Sequence, residues 1–214
     1  MRNRPDNYNR LVEQPTIRAL LPDLAGKAVL DMGCGFGANC MDFVQRGAKN
    51  VVGIDVSQKM LDAACEENFH EKITYRRMGM EDIGGLDDCF DLVFSSMTVH
   101  YAADFDKLIR DVRCILADGG VFLFSQEHPI NTASGGGARQ ISDYLIEGSR
   151  EIEWLGQKSI RYHRSFSHIT NALIQEDFTI INVVEPMPTA DAIEIAPRFS
   201  TETHSPTSLI IKAV

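Results

Sequence analysis

A chain of 214 residues, 44% of them hydrophobic, has enough apolar mass for one substantial core but too little length for two full domains. Its formal net charge of -9 disfavours a nucleic-acid backbone as partner, and the short basic clusters Arg76-Arg77 and Lys158 to Arg164 read as solvated surface. No apolar run reaches the ~18 residues a membrane span needs, none follows the N-terminal arginines as in a signal peptide, and five irregularly spaced cysteines without C-x-x-C argue against a disulfide frame or a metal site. Reduced thiols in a cytoplasmic protein are the expectation.

In chain order, Ala28 to Met32 is a short buried strand bounded by Gly26 and Gly33, and Asn39 to Gln45 a helix. Asn50 to Ile54 is a second strand. A helix follows from about Gln58 to Glu67, with Ser57 or Asp55 as its cap and Met60, Leu61, Ala64 and Cys65 as its apolar stripe. Ile73 to Met78 is a shorter, more polar strand of the kind found at a sheet edge, and Phe90 to Ser95 a fourth strand. Asp104 to Ala117 is an amphipathic helix ended by Asp118-Gly119-Gly120, and Val121 to Ser125 is the fifth strand. From Glu127 to about Arg164 the chain turns polar and Gly-rich (Ser134 to Gly137) and reads as a lid-like insertion. Ser165 to Glu176 returns to helix, Phe178 to Val184 and Ser208 to Val214 to strand. Strands alternating with helices imply βαβ crossovers and a doubly wound, largely parallel sheet.

The chemistry concentrates in Val29-Leu-Asp-Met-Gly-Cys-Gly-Phe-Gly-Ala38, where a strand ends in a glycine turn that opens a helix. Gly33 and Gly35 let the backbone approach a ligand, and the helix start offers exposed N–H groups. Gly33-x-Gly35-x-x-Ala38 by itself also fits a dinucleotide fingerprint. Three companions weigh against that. Asp31, inside the strand, is awkward for a pyrophosphate but suits a cationic ammonium and sulfonium, or else holds the glycine loop through backbone N–H groups. Asp55, ending the second strand, suits ribose hydroxyls. Met80 and Asp82 in Gly79-Met-Glu-Asp-Ile83 suit a purine face and its exocyclic amine, although Asp82 also reads as a helix cap.

VLDMGCGFG, VVGIDVSQKML, GMEDI, FDLVFSSMTVHY and LADGGVFLFS, in that order, resemble successive motifs of class I S-adenosylmethionine-dependent methyltransferases over roughly residues 25 to 126. EHPI, W-x-G and YHRS further on resemble the small-molecule (methyltransferase-11-like) branch. The resemblance implies a Rossmann-like, seven-stranded, mostly parallel α/β sheet with an antiparallel last strand. It implies one domain over 1–214, with 1–25 as an N-terminal helical cover and 127–164 as an acceptor-side insertion. The cofactor it implies is S-adenosyl-L-methionine, converted to S-adenosyl-L-homocysteine. Gly33, Cys34 and Gly35 would lie under the methionine portion, near Asp31. Asp55 would take the ribose with Val56 and Met60 beside it, Met80, Glu81 and Asp82 would border the adenine, and Ser95 with Ser96 would line the pocket near the sulfonium. The stretch from Tyr8 to Pro15 resembles the family's leading helix, whereas Asp191 to Ser205 matches no pattern.

Methyl transfer to a small-molecule acceptor is thus the expected activity. The alternatives are an NAD(P)-dependent oxidoreductase, against which Asp31 and GMEDI argue, and a non-catalytic S-adenosylmethionine-binding protein. A general base helps only if the acceptor must lose a proton. His128, after the fifth strand, is the first candidate, followed by His100 with Tyr101 and then His163 with Tyr162; each also has a purely structural reading. Trp154, Tyr162 and Phe166 are candidates for an apolar wall. The acceptor atom and the oligomeric state are not fixed by the sequence.

Overall fold

The computed structural model describes residues 6–133, 143–154 and 157–214. A short π-helical stretch, Asn9–Glu13, runs into helix α1 (Gln14–Ala19), where Pro15 sits in the first turn and needs no N–H partner. Strand β1 (Ala28–Met32) leads through the glycine turn to α2 (Ala38–Gln45), then β2 (Asn50–Asp55), α3 (Gln58–Glu67) and β3 (Ile73–Arg77). Of the two expected caps for α3, the structure uses Ser57, whose hydroxyl accepts from the Met60 N–H. β4 (Phe90–Ser95), α4 (Phe105–Ile115) and β5 (Leu116–Glu127) complete the central units. The helix ends sooner and the strand begins sooner than the sequence suggested. Gly119, at φ 70°, carries the chain through an irregular start to β5, and the register against β4 slips between Phe90 and Leu92.

Seven strands form one sheet in the order β3-β2-β1-β4-β5-β9-β8, where β8 is Ile180–Val184 and β9 is Ser208–Ala213. Pairings from β3 across to β5 are parallel, while β9 runs antiparallel to both β5 and β8. β3 lies at the edge, as its polarity indicated. Continuous burial of Val29 to Met32 and of Leu92 to Ser95 follows from coverage on both faces. One face packs Ile17, Phe43 and Leu61 of α1, α2 and α3 against Val29, Val51 and Leu92. The other packs Leu108, Ile109 and Val112 of α4, with Ile169 and Leu173 of α6 (Phe166–Gln175), against Leu30, Met32, Val52 and Val93.

The insertion contains more regular structure than its polarity suggested. A short helix α5 (Pro129–Ala133) precedes an antiparallel hairpin of β6 (Gly148–Trp154) and β7 (Gln157–His163), in which Glu151 pairs with Ile160 and Ser149 with Tyr162. Ser134 to Gly137, Gly156 and the Trp154 side chain lie outside the described residues. The stretch that matched no pattern is helical, with α7 (Ala190–Ile195) followed by a 3-10 turn, Pro197–Thr203. Ala196 and Phe199 pack there against Val12, Tyr8 and Leu11 of the leading helix, a separate small core at the carboxyl ends of the strands.

Candidate functional site

The reversal of strand order falls between β1 and β4, and the crevice outside the carboxyl ends of those strands is where a doubly wound sheet receives a ligand. The glycine turn forms its floor. Gly33, Gly35 and Gly37 all take positive φ, at 72°, 56° and 81°. A Cβ on Gly33 would lie 2.5 Å from Thr98 Cγ2 and one on Gly37 2.1 Å from Tyr75 Oη, whereas one on Gly35 would meet nothing within 4 Å. Gly35 therefore faces open space, and the other two are closed by the protein itself.

The side chain that fixes this turn is Asp55, not Asp31. Asp55 Oδ2 accepts from the Gly35 N–H at 2.9 Å and Oδ1 from the Ser57 N–H at 2.8 Å, leaving further lone pairs free at the crevice. Asp31 lies behind the turn, 1% exposed; its Oδ2 accepts from the Cys40 thiol at 3.3 Å, and its Oδ1 has no partner among the described residues. Burial pushes the Asp31 carboxyl up to about 7, against the lowering effect of the Cys40 hydrogen bond. Cys34 is a buried free thiol in the turn, beside Cys40.

Around the turn, Val56 and Met60 are exposed at 66% and 46%, an apolar edge next to Asp55. Met80, Glu81 and Asp82 lie in a 3-10 turn, Met80–Gly85, capped at Gly79 without any side-chain bond, so Asp82 is not the cap it resembled. A Cβ on Gly79 would fall 3.0 Å from Glu81 Oε2, 3.4 Å from Asp82 Oδ2 and 3.8 Å from Val56 Cγ1, which puts two carboxylates and an apolar group around one narrow space. Ser95 departs from expectation. It is fully buried, and its hydroxyl donates to the Met32 carbonyl at 3.1 Å, tying β4 to β1 beside Thr98; the serine at the crevice is Ser96.

An open glycine face, an acidic group at the end of β2, paired carboxylates at the end of β3 and an unpartnered buried carboxyl oxygen suit a nucleoside joined to a cationic amino-acid tail. They do not suit a pyrophosphate. Comparison with known proteins agrees. A methyltransferase domain profile matches residues 30–124. The fold superimposes on an S-adenosylmethionine-dependent methyltransferase from Mesorhizobium loti with TM-score 0.87 and 38% identity, covering 94% of this chain and 96% of that one. It belongs to the class I S-adenosylmethionine-dependent methyltransferases. A Listeria monocytogenes protein assigned to the same activity gives TM-score 0.88 at 34% identity, covering 94% and 95% of the two chains. An uncharacterised Haemophilus influenzae protein is 34% identical over all of this chain and 91% of its own length. Two named O-methyltransferases, 32% and 34% identical, align with 50% and 48% of this chain and only 41% and 39% of their own length.

The methyltransferase's three candidate histidines lie in different settings. His100 is buried after β4, where its Nδ1 accepts from the Glu127 N–H at 3.4 Å and its Nε2 is 3.9 Å from Glu127 Oε1. Its ring lies 4.3 Å from that of Tyr101. Burial, with Arg161 and Arg164 nearby, lowers His100 to about 3, so the ring is neutral. Arg161 of β7 reaches down to Glu127 Oε2 and to the Asn131 carbonyl, pinning the hairpin over the end of β5. His128 points elsewhere: Nε2 bonds Glu185 at 2.9 Å and Nδ1 accepts from the Ile130 N–H, so both ring nitrogens are engaged beside β8. His163 is buried between Thr132 and the Tyr144 carbonyl.

Sequence reasoning passed over Glu13, Ser125 and Arg161. Glu13 is fully buried; its Oε1 accepts from Ser96 at 3.0 Å and from Ser125 at 2.5 Å, so the leading helix inserts a carboxyl between the ends of β4 and β5. The available signal was an acid one turn before the buried Ile17, on the same helical face.

Proposed function

We propose that this methyltransferase acts on a small-molecule acceptor held between the ends of β4 and β5, the leading helix and the β6–β7 hairpin. The observation that carries this reading is the double roof over the strand ends: Glu13 seated on Ser96 and Ser125 from one side, Arg161 on Glu127 from the other. A macromolecular substrate needs an open approach, and the net charge of -9 works against a polyanion. The two partly matching relatives are named for methylation of malonyl-acyl-carrier protein and of a ubiquinone precursor pathway, both at oxygen, so the acceptor class rests on this chain's own site.

In this reading Gly35 gives the cofactor's methionine portion its approach, Asp55 accepts from the ribose, and Val56, Met80, Glu81 and Asp82 border the adenine. The bound cofactor supplies an already activated methyl group on sulfur. The protein has to align the acceptor with it and exclude water, which the two roofs do. Neither candidate histidine is poised as a general base: His100, lowered to about 3, is too weakly basic to take a proton near neutral pH, and His128, held by Glu185, anchors β5 to β8, so the reading rests on alignment of the acceptor. We place the protein in the cytoplasm. Among the described residues no helix is long and apolar enough to cross a membrane.

Calorimetric titration with S-adenosylhomocysteine, run beside NAD and NADP, tests the site. Binding of the first alone is expected, and Asp55→Ala should weaken it by about 1–3 kcal/mol. Unchanged affinity would remove Asp55 from the ribose. Labelled S-adenosylmethionine offered to phenols, amines and thiols, and separately to bulk tRNA and protein, then tests the acceptor class; transfer only to the macromolecules would overturn it.

A further inference from the structure

Glu13 is more than a plug. Its Oε1 takes both serine hydroxyls, while Oε2 is buried with no partner among the described residues. Two hydroxyl donors would serve a glutamine carbonyl equally well, and the leading helix is already anchored by Tyr8, Leu11 and Val12 against Phe199 and by the 2.9 Å bond of Tyr8 to Ser208. Fold stability therefore does not call for a charge at this place, and an unpaired buried carboxylate costs free energy. Arg18, 3.7 Å from Asp42, offsets the Glu13 charge only weakly.

The surroundings are held tightly. Ser125 Oγ donates to Glu13 and accepts the Met97 N–H at 2.9 Å, and Met97 adopts φ 56°, a strained backbone for a residue with a side chain. Ser96, the other donor, directly follows the last residue of β4, whose neighbour in register is Met32, the last residue of β1 before the glycine turn. Through Ser96 the carboxyl reaches the β4 side of the switch point, where the reaction removes a positive charge: the cofactor enters as a sulfonium and leaves as a neutral thioether.

We propose that Glu13 makes the closed site selective for the cationic cofactor over its neutral product, binding S-adenosylmethionine more tightly than S-adenosylhomocysteine through the charge of its carboxylate. This rests on the placement of the cofactor in the β1–β4 crevice given above. The leading helix then serves as a cover whose hold on the ligand slackens once the methyl group has gone, which favours product release. Burial raises the Glu13 carboxyl, opposed by the Ser125 and Ser96 hydrogen bonds and more weakly by Arg18, so an arriving cation also shifts its ionisation and expels a proton.

Affinities of both ligands for the intact wild-type protein and for Glu13→Gln, an isosteric change, read this out. The wild-type preference for S-adenosylmethionine should fall about ten-fold in Glu13→Gln with S-adenosylhomocysteine binding unchanged. Repeating the S-adenosylmethionine titration in two buffers of different ionisation heat gives the protons released; the wild type should release more than the variant, whose remainder belongs to Asp31. An unchanged preference, or equal weakening of both ligands, would reduce Glu13 to a mechanical latch and overturn the proposal. Should the wild type bind neither ligand, the cofactor placement itself fails, an outcome distinct from a lost preference.

Discussion

Gly33, Gly35 and Gly37 share a left-handed backbone but not an environment, and alanine at each has a different expected consequence. At Gly35 the new methyl enters open space, so the cost to stability is the backbone strain of about 1 kcal/mol, while cofactor binding is lost. At Gly33 and Gly37 the methyl strikes Thr98 and Tyr75, and chemical denaturation should show the larger loss there. Equal destabilisation at all three would mean that the turn does not face a ligand at Gly35. Asp31 gives a second prediction. Its folded value of about 7 lies above the ordinary carboxylate value of 3.8, so the native state holds a proton that the unfolded chain releases in between. Stability from this group is present below pH ~4 and is lost as pH rises towards 7. Asp31→Asn should therefore stabilise the ligand-free protein at pH 8 by about 2–4 kcal/mol and much less at pH 5, measured by urea unfolding. A pH-independent difference would rule this out.

At the scale of elements, the hairpin is held from two sides. Arg161 ties β7 to Glu127, and at its base Glu147 accepts from Ser165 and meets His168 of α6, which also reaches Asp106 of α4 at 3.1 Å. A cleft of about 300 Å³ lies beside this base, lined by Tyr162, Arg164 and His168 among others. Burial alone would lower His168, but its bonds to Glu147 and Asp106 raise it above the ordinary histidine value. For a raised histidine, the stabilisation is complete below pH ~6.5 and disappears as pH climbs through the raised value. Hydrogen exchange of the β6–β7 amides, corrected for intrinsic rates, should accordingly quicken between pH 6 and 9 relative to β1 and β4. In His168→Ala that pH dependence should vanish; its persistence would mean that a titrating group other than His168 controls the hairpin's footing.

For the whole molecule, a ligand that binds only the folded state raises its stability by about 2.7 kcal/mol at one hundred times its Kd. In a chain of this length that corresponds to a rise in Tm of roughly 5–10 °C with S-adenosylmethionine, a shift that Gly35→Ala should remove. A shift that survives in the variant would place the ligand elsewhere. Because the cover and the 190–203 segment pack on each other through Val12, Tyr8 and Phe199, both should gain exchange protection together on binding.

The sequence by itself determined the central sheet and the glycine turn at the end of β1, because both rest on local chemistry. Buried parallel strands are continuous apolar runs, the turn from β1 needs glycine for its positive φ, and Asp55 and Gly79 to Asp82 lie within a few residues of the strands that present them. Tertiary structure alone decided which polar groups meet. Asp55 rather than Asp31 holds the turn across 20 residues, Ser95 is spent on Met32 across 63, and Glu13 joins Ser125 across 112. His128 and His100 read alike as histidines after strands, yet one is drawn to Glu185 and the other to Glu127. Periodicity records whether a side chain is buried, but not what it is buried against. Hydrogen-bond partners distant in sequence are fixed by the order of strands in the sheet and by the helices folded over their ends.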